Sequence, residues 1–162
     1  MTRPLPESPQ AVEARRDAAL RRLVGDLPYA AFLGAVFDRR GDELTAVLPF
    51  APHLVGNPRG PALHGGAIAA FLEITAIVEL GWSAIWPAME AADPAAPRHL
   101  PKTIDFTVDY LRAGLPRDAY ARARVNRSGR RYASVHVEAW QDSRARPMAQ
   151  ATGHFLAAEP GS

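Results

Sequence analysis

From Gly65 to Leu80 the chain is apolar on almost every side of a would-be helix: Ala67, Ile68, Ala69, Ala70, Phe71, Leu72, Ile74, Ala76, Ile77 and Val78. A helix without a polar face has to be buried, so the rest of the chain must supply apolar surface around it. Gly81 is read as the end of this helix. The following stretch, Ser83 to Pro101, is rich in Ala and Pro and is read as a loop or short helix that covers the site. The run Ala67–Leu80 is too short for a membrane span and carries Glu73 and Glu79. A chain of 162 residues suits one domain with one core.

Periodicity shows what surrounds the helix. Residues 1–10 hold three prolines and read as a flexible tail, leaving 11–158 as a single domain. Ala11 to Val24 places Val12, Ala19, Leu20 and Leu23 near helical spacing, with arginines on the other faces and Gly25 at its end. Ala31–Arg39 reads as a strand, Gly41-Asp42 as a turn, and Leu44, Ala46 and Leu48 as a second strand of the same hairpin. Pro49 to Pro61 is a loop broken by Pro and Gly.

The last third looks all-β, with three alternating segments and a final strand. Ile104, Phe106, Val108 and Tyr110 form one apolar face. The next two are Ala119 to Val125 and Ala133 to Ala139, and Arg146–Ala157 is the final strand. The class is α+β: about six antiparallel strands wrapped around a long central helix, with an extra N-terminal helix. Such a sheet has edges, and pairing them across a two-fold axis protects them, so a homo-oligomer is expected.

Composition narrows the function classes. The formal charge is +2 and scattered, so nothing calls for nucleic acid. With no cysteine there is no disulfide framework, no Cys-based zinc site and no thiol nucleophile. His53, His99, His136 and His154 show no metal-ligand spacing, and no phosphate loop is present. The N-terminus lacks the apolar region of a secretory signal, so the expected location is cytoplasmic, with no membrane partner.

Glu73 stands out among the apolar neighbours. A buried carboxylate without partners is costly, so a chain that keeps one there has a use for it. The plain alternative puts Glu73 on one wet stripe of the helix, with Glu79 at another exposed position. His64-Gly65-Gly66 opens the same helix, where unpaired backbone N–H groups and the positive dipole end suit an oxyanion. Glu73 lies about 13 Å further along at ~1.5 Å per residue. One carbonyl can meet both groups only if a second subunit supplies one of them.

Asn57-Pro58, Gly60, Leu63-His64-Gly65-Gly66 and an acid nine residues after the histidine resemble the PaaI-like and 4-hydroxybenzoyl-CoA branch of the hotdog-fold thioesterases. The resemblance spans about residues 30–157, and its specific part is 57–73. It implies an acyl-CoA thioesterase with a hotdog fold, working as a dimer or dimer of dimers. It needs no cofactor, since coenzyme A is part of the substrate. Glu73, where Asp is commoner in that family, is implied as nucleophile or general base, and the Gly65 N–H as oxyanion donor. His64 and Asn57 would shape the site; they are seven residues apart, where some relatives have six. Gly66, Thr75 and Trp82 are candidates to line the substrate pocket, although structural packing is the plainer reading of the tryptophan.

Arg127-Ser128-Gly129-Arg130-Arg131 is a basic turn suited to the phosphates of coenzyme A, or equally a solvated hairpin. Two other readings stand beside hydrolysis: a hotdog enoyl-thioester hydratase or dehydratase, and a non-catalytic acyl-CoA-binding sensor.

Overall fold

The apolar segment forms helix α3, Gly65–Glu90, in a computed structural model that describes residues 7–91 and 100–156. The helix does not stop at Gly81, and it also runs through Pro87. Gly81 has a packing role instead. A Cβ there would lie 2.9 Å from a methyl of Leu23 in helix α1, Pro9–Gly25. Residues 83–90 therefore lengthen the helix by about two turns. Residues 92–99 of the expected covering segment lie outside the described residues.

At 26 residues, α3 is long and apolar enough by length and composition to cross a bilayer, unlike the shorter run read from the sequence. Here it is a core helix. Ile68, Phe71, Leu72, Ile74, Ala76 and Val78 are all buried.

The sheet that buries it has the strands β1 (Val36–Arg40), β2 (Glu43–Leu48), β3 (Lys102–Tyr110), β4 (Ala119–Ser128), β5 (Tyr132–Trp140) and β6 (Ala149–Leu156). Their spatial order is β1-β2-β4-β5-β6-β3, and every pairing is antiparallel. Alternate residues face the helix, and alanine dominates that face: Ala46, Ala119, Ala121, Ala133, Ala139, Ala149 and Ala151 are buried. Small residues on the sheet leave room for the large side chains of α3, such as Phe71 and Leu72.

Three local readings are corrected. Helix α1 begins at Pro9, two residues before Ala11, because the Ser8 hydroxyl caps it by accepting from the Ala11 N–H. Residues 1–6 of the expected tail lie outside the described residues. The strand expected from Ala31 is shorter than that, because a helix, α2 (Pro28–Leu33), comes first. Pro28 suits a first helical turn, and Gly34 ends the helix in the left-handed region at φ 81°.

The third correction concerns β3, an edge strand whose register shifts between Thr103 and Asp105. Ile104 is the extra residue of a β-bulge and is 54% exposed, not a core position. Thr103 takes the inward place, opposite Phe155, and Phe106 and Val108 follow on the same face.

Helix α1 is held over this assembly by charge as well as packing. The buried Arg39 guanidinium donates to Asp17 at 2.7 and 3.0 Å and to Glu13 at 2.6 Å.

Gly153 sits where β6 passes beneath aromatic rings, and a Cβ there would lie 2.6 Å from ring carbons of Phe106 and Phe155. Gly153→Ala should therefore lower stability by about 1–3 kcal/mol, read as a lower urea midpoint at unchanged slope.

Candidate active site

His64 is fixed before α3 begins. Its N–H donates to the Leu54 carbonyl at 2.7 Å, next to the bridge between Val55 and Leu63. Its imidazole then caps the helix, with Nδ1 accepting from the Gly66 N–H at 2.9 Å. A backbone N–H only donates, so Nδ1 is unprotonated and the ring proton sits on Nε2. The imidazole lies so close that a Cβ on residue 66 would be 3.0 Å from its Cε1 and Nδ1. Gly66 therefore serves the histidine, and its N–H is engaged there rather than open to a ligand. The Gly65 N–H is different: as the first helical residue it has no intrahelical acceptor, and it has no other among the described residues.

Glu73 is half-buried on the side of α3 that faces β3. The Thr103 hydroxyl donates to its Oε1 at 2.7 Å. This partner answers the cost of a carboxylate among apolar side chains. Strict alternation hides Thr103, because it assigns the inward place to Ile104; only the bulge brings the threonine round. Gly65 and Glu73 are about 12 Å apart along the helix axis, so a single chain does not bring them to one carbonyl.

Tyr110, at the other end of β3, is also missed by sequence reasoning. Its hydroxyl donates to the Gly65 carbonyl at 2.7 Å, and its ring lies 3.3 Å from where a Cβ of residue 65 would be. In the sequence it looks like one more alternating strand residue.

The remaining candidates separate. Asn57 is exposed, and its side-chain oxygen accepts from the Arg59 N–H at 3.0 Å, closing the loop before His64. Thr75 is buried, with its hydroxyl donating to the Phe71 carbonyl of its own helix at 2.7 Å. Trp82 is far from the helix start: it stacks on Trp86 at 5.9 Å, and the Arg39 guanidinium lies 6.0 Å from its ring. Clefts of about 410 and 580 Å³ flank α1, and neither contains a candidate residue.

Arg127 and Ser128 end β4, and Gly129 to Arg131 form the exposed turn into β5. A second bulge, between Val125 and Arg127, pairs Arg127 with Ser134 and so aligns it with Arg124, which pairs with His136. Arg122 is already engaged by Glu43 and Thr45. Ser128, Ala133, Phe155 and Thr103 form one cross-strand row. The basic turn thus lies at the Glu73 end of the sheet, while Tyr110 and Gly65 lie at the other end.

Glu79 is half-buried as well, not at an exposed position, and loss of hydration pushes its carboxyl up to about 7. With the folded-state value above the usual one, the folded protein binds the extra proton between about pH 4.5 and 7, and stability falls as pH rises through that window. Glu79→Gln should flatten this slope and stabilise the protein at pH 8 by up to about 3 kcal/mol, measured as urea midpoints across pH.

Residues 55–156 match a family model described as the acyl-CoA thioesterase N-terminal domain. The chain is 32% identical over 126 residues to the medium/long-chain acyl-CoA thioesterase YigI of Escherichia coli, covering 72% of this chain and 81% of that protein. A solved structure of a protein from Chromobacterium violaceum is 36% identical, with a TM-score of 0.63 over 91% of this chain and 96% of that one. A thioesterase family protein from Silicibacter pomeroyi is 21% identical and shares the fold, with a TM-score of 0.69 over 89% of this chain and 98% of its own.

Proposed function

Because this chain belongs to the hotdog-fold acyl-CoA thioesterases, we propose that it hydrolyses its thioester at a site completed by two subunits, with Glu73 of one and the Gly65 N–H of the other flanking the carbonyl. The observation that carries this is the separation of the two groups: each is prepared for chemistry, and they stand about 12 Å apart on one helix. Strand β3 supports the pairing. It is a sheet edge, and Ile104, Tyr110 and Leu111 on and beside it are each about half exposed. Antiparallel pairing of two β3 edges satisfies their backbone groups and sets the two α3 helices side by side in opposite directions. Glu73 then comes opposite the partner's helix start. A dimer of dimers needs only a further contact.

The chemistry follows from the groups at hand. The Gly65 N–H stabilises the oxyanion at the positive end of α3. Glu73 works in one of two ways. It attacks the carbonyl carbon, releasing coenzyme A as thiolate and leaving an anhydride that water cleaves. Alternatively it takes a proton from water, whose oxygen attacks as the thiolate leaves. Thr103 holds one carboxylate oxygen, and the other has no hydrogen-bond partner among the described residues. His64 presents its Nε2–H beside the helix start, and Asn57 stiffens the loop that carries it.

Arg127, Arg130 and Arg131 meet the phosphates of coenzyme A, with Ser128 and Gly129 shaping the turn. Gly66 admits the imidazole, while Thr75 and Trp82 support α3 from within. Ala69, Ala70 and Ile77 lie one turn either side of Glu73 on its face of α3, half-buried and apolar. That face suits a medium or long acyl chain, the class named for the Escherichia coli relative.

A thiol-release assay over acyl-CoAs from acetyl to stearoyl tests the reading. The native protein should turn over the longer chains, and Glu73→Ala should lose about 10²–10⁴-fold in kcat with circular dichroism unchanged. Near-native hydrolysis by Glu73→Ala would sink the assignment, as would tight acyl-CoA binding with no thiol released by the native protein. Thr103→Val should lower kcat about tenfold at similar KM, and Thr103→Ser should recover most of the loss.

A further inference from the structure

We propose that Tyr110 is a positioning residue of this site, acting on His64 through the peptide unit that joins Gly65 to Gly66. The carbonyl of that peptide accepts the Tyr110 hydroxyl at 2.7 Å, and its N–H donates to His64 Nδ1 at 2.9 Å. Oxygen and N–H of one amide are conjugated. A bond received at the oxygen makes the N–H a stronger donor, and the two bonds reinforce each other. The chain of contacts therefore runs from phenol to imidazole and holds the ring with its Nε2–H unpartnered among the described residues.

Two features set this contact apart from an incidental surface bond. As first residue of the helix, Gly65 already has an intrahelical donor for its carbonyl four residues on. Tyr110 thus relieves no orphaned group, and its effect is on the geometry and polarity of this peptide. The strand is also built to deliver it. Thr103 and Tyr110 are seven residues apart, and in a regular strand an odd spacing sends them to opposite faces. The bulge at Ile104 cancels that difference, so one strand contacts Glu73 through Thr103 and Gly65 through Tyr110.

This inference rests on the thioesterase reading of His64 and Glu73, and its test keeps the two apart. Acyl-CoA hydrolysis is measured for the native full-length protein, Glu73→Ala, Tyr110→Phe, His64→Ala and the Tyr110→Phe/His64→Ala double variant. Tyr110→Phe should lower kcat about tenfold with KM within about twofold. The double variant should be no slower than His64→Ala alone, because the tyrosine acts through the histidine. Nitrogen NMR of the imidazole gives a readout that does not need turnover: the Nε2–H tautomer of His64 should lose population in Tyr110→Phe.

A Tyr110→Phe protein with native kcat and native tautomer balance overturns the proposal, and so does a double variant whose two losses multiply. If Glu73→Ala is inactive while Tyr110→Phe matches the native enzyme, only the role of Tyr110 falls. If Glu73→Ala stays active, the reading of the site falls first and the role of Tyr110 with it.

Discussion

A helix apolar around its whole circumference has to be enclosed, and the rest of this molecule follows from enclosing α3. The sheet does it by curling past the helix with an inner face made largely of alanine, which lets Phe71, Leu72 and Val78 sit close to the strands with no exposed area. Helix α1 closes the remaining side, where Leu23 meets Gly81 and Arg39 draws in Glu13 and Asp17. β3 is one of the two edges of the sheet, and Glu73 looks toward it.

The same enclosure explains which parts of the structure could be read from residues alone. Period-two runs such as Ala133, Val135, Val137 and Ala139 and the aperiodic apolar run of α3 each have one low-energy solution, and both form as expected. The misreadings arise where a residue type has two uses. Gly81 looks like a helix stop, but close packing against Leu23 accounts for it. Pro28 to Leu33 lacks the length for a clear helical period, yet a proline at its start and a left-handed glycine after it suffice. A β-bulge leaves no mark in composition, so Ile104 reads as core, whereas it is exposed and Thr103 takes the inward, half-buried place.

For the candidate site, the sequence points to residues but not to their partners. His64, Gly65 and Glu73 show themselves by residue type in context: two glycines at a helix start, and an acid where none is cheap. Thr103 and Tyr110 come from a strand 30 and 45 residues beyond their partners Glu73 and Gly65, and ordinary strand residues carry no sign that they will meet α3. The role of Gly66 also changes with the structure in view. It looks like an open approach for a ligand, but its N–H and the space above it are occupied by the imidazole.

The bulge in β3 separates two kinds of constraint that usually travel together. The side chain of Ile104 is about half exposed within one chain, so the core of that chain does not set its identity, and only the proposed contact between two β3 edges would. Its presence in the count is another matter, because removing one residue would reverse the facing of every position on one side of it. Position 104 is thus constrained in length by its own chain and in identity only from outside it. A comparison that scores residues by likeness would pass over the point that keeps Thr103 and Tyr110 in phase, because that point is a length and not an identity.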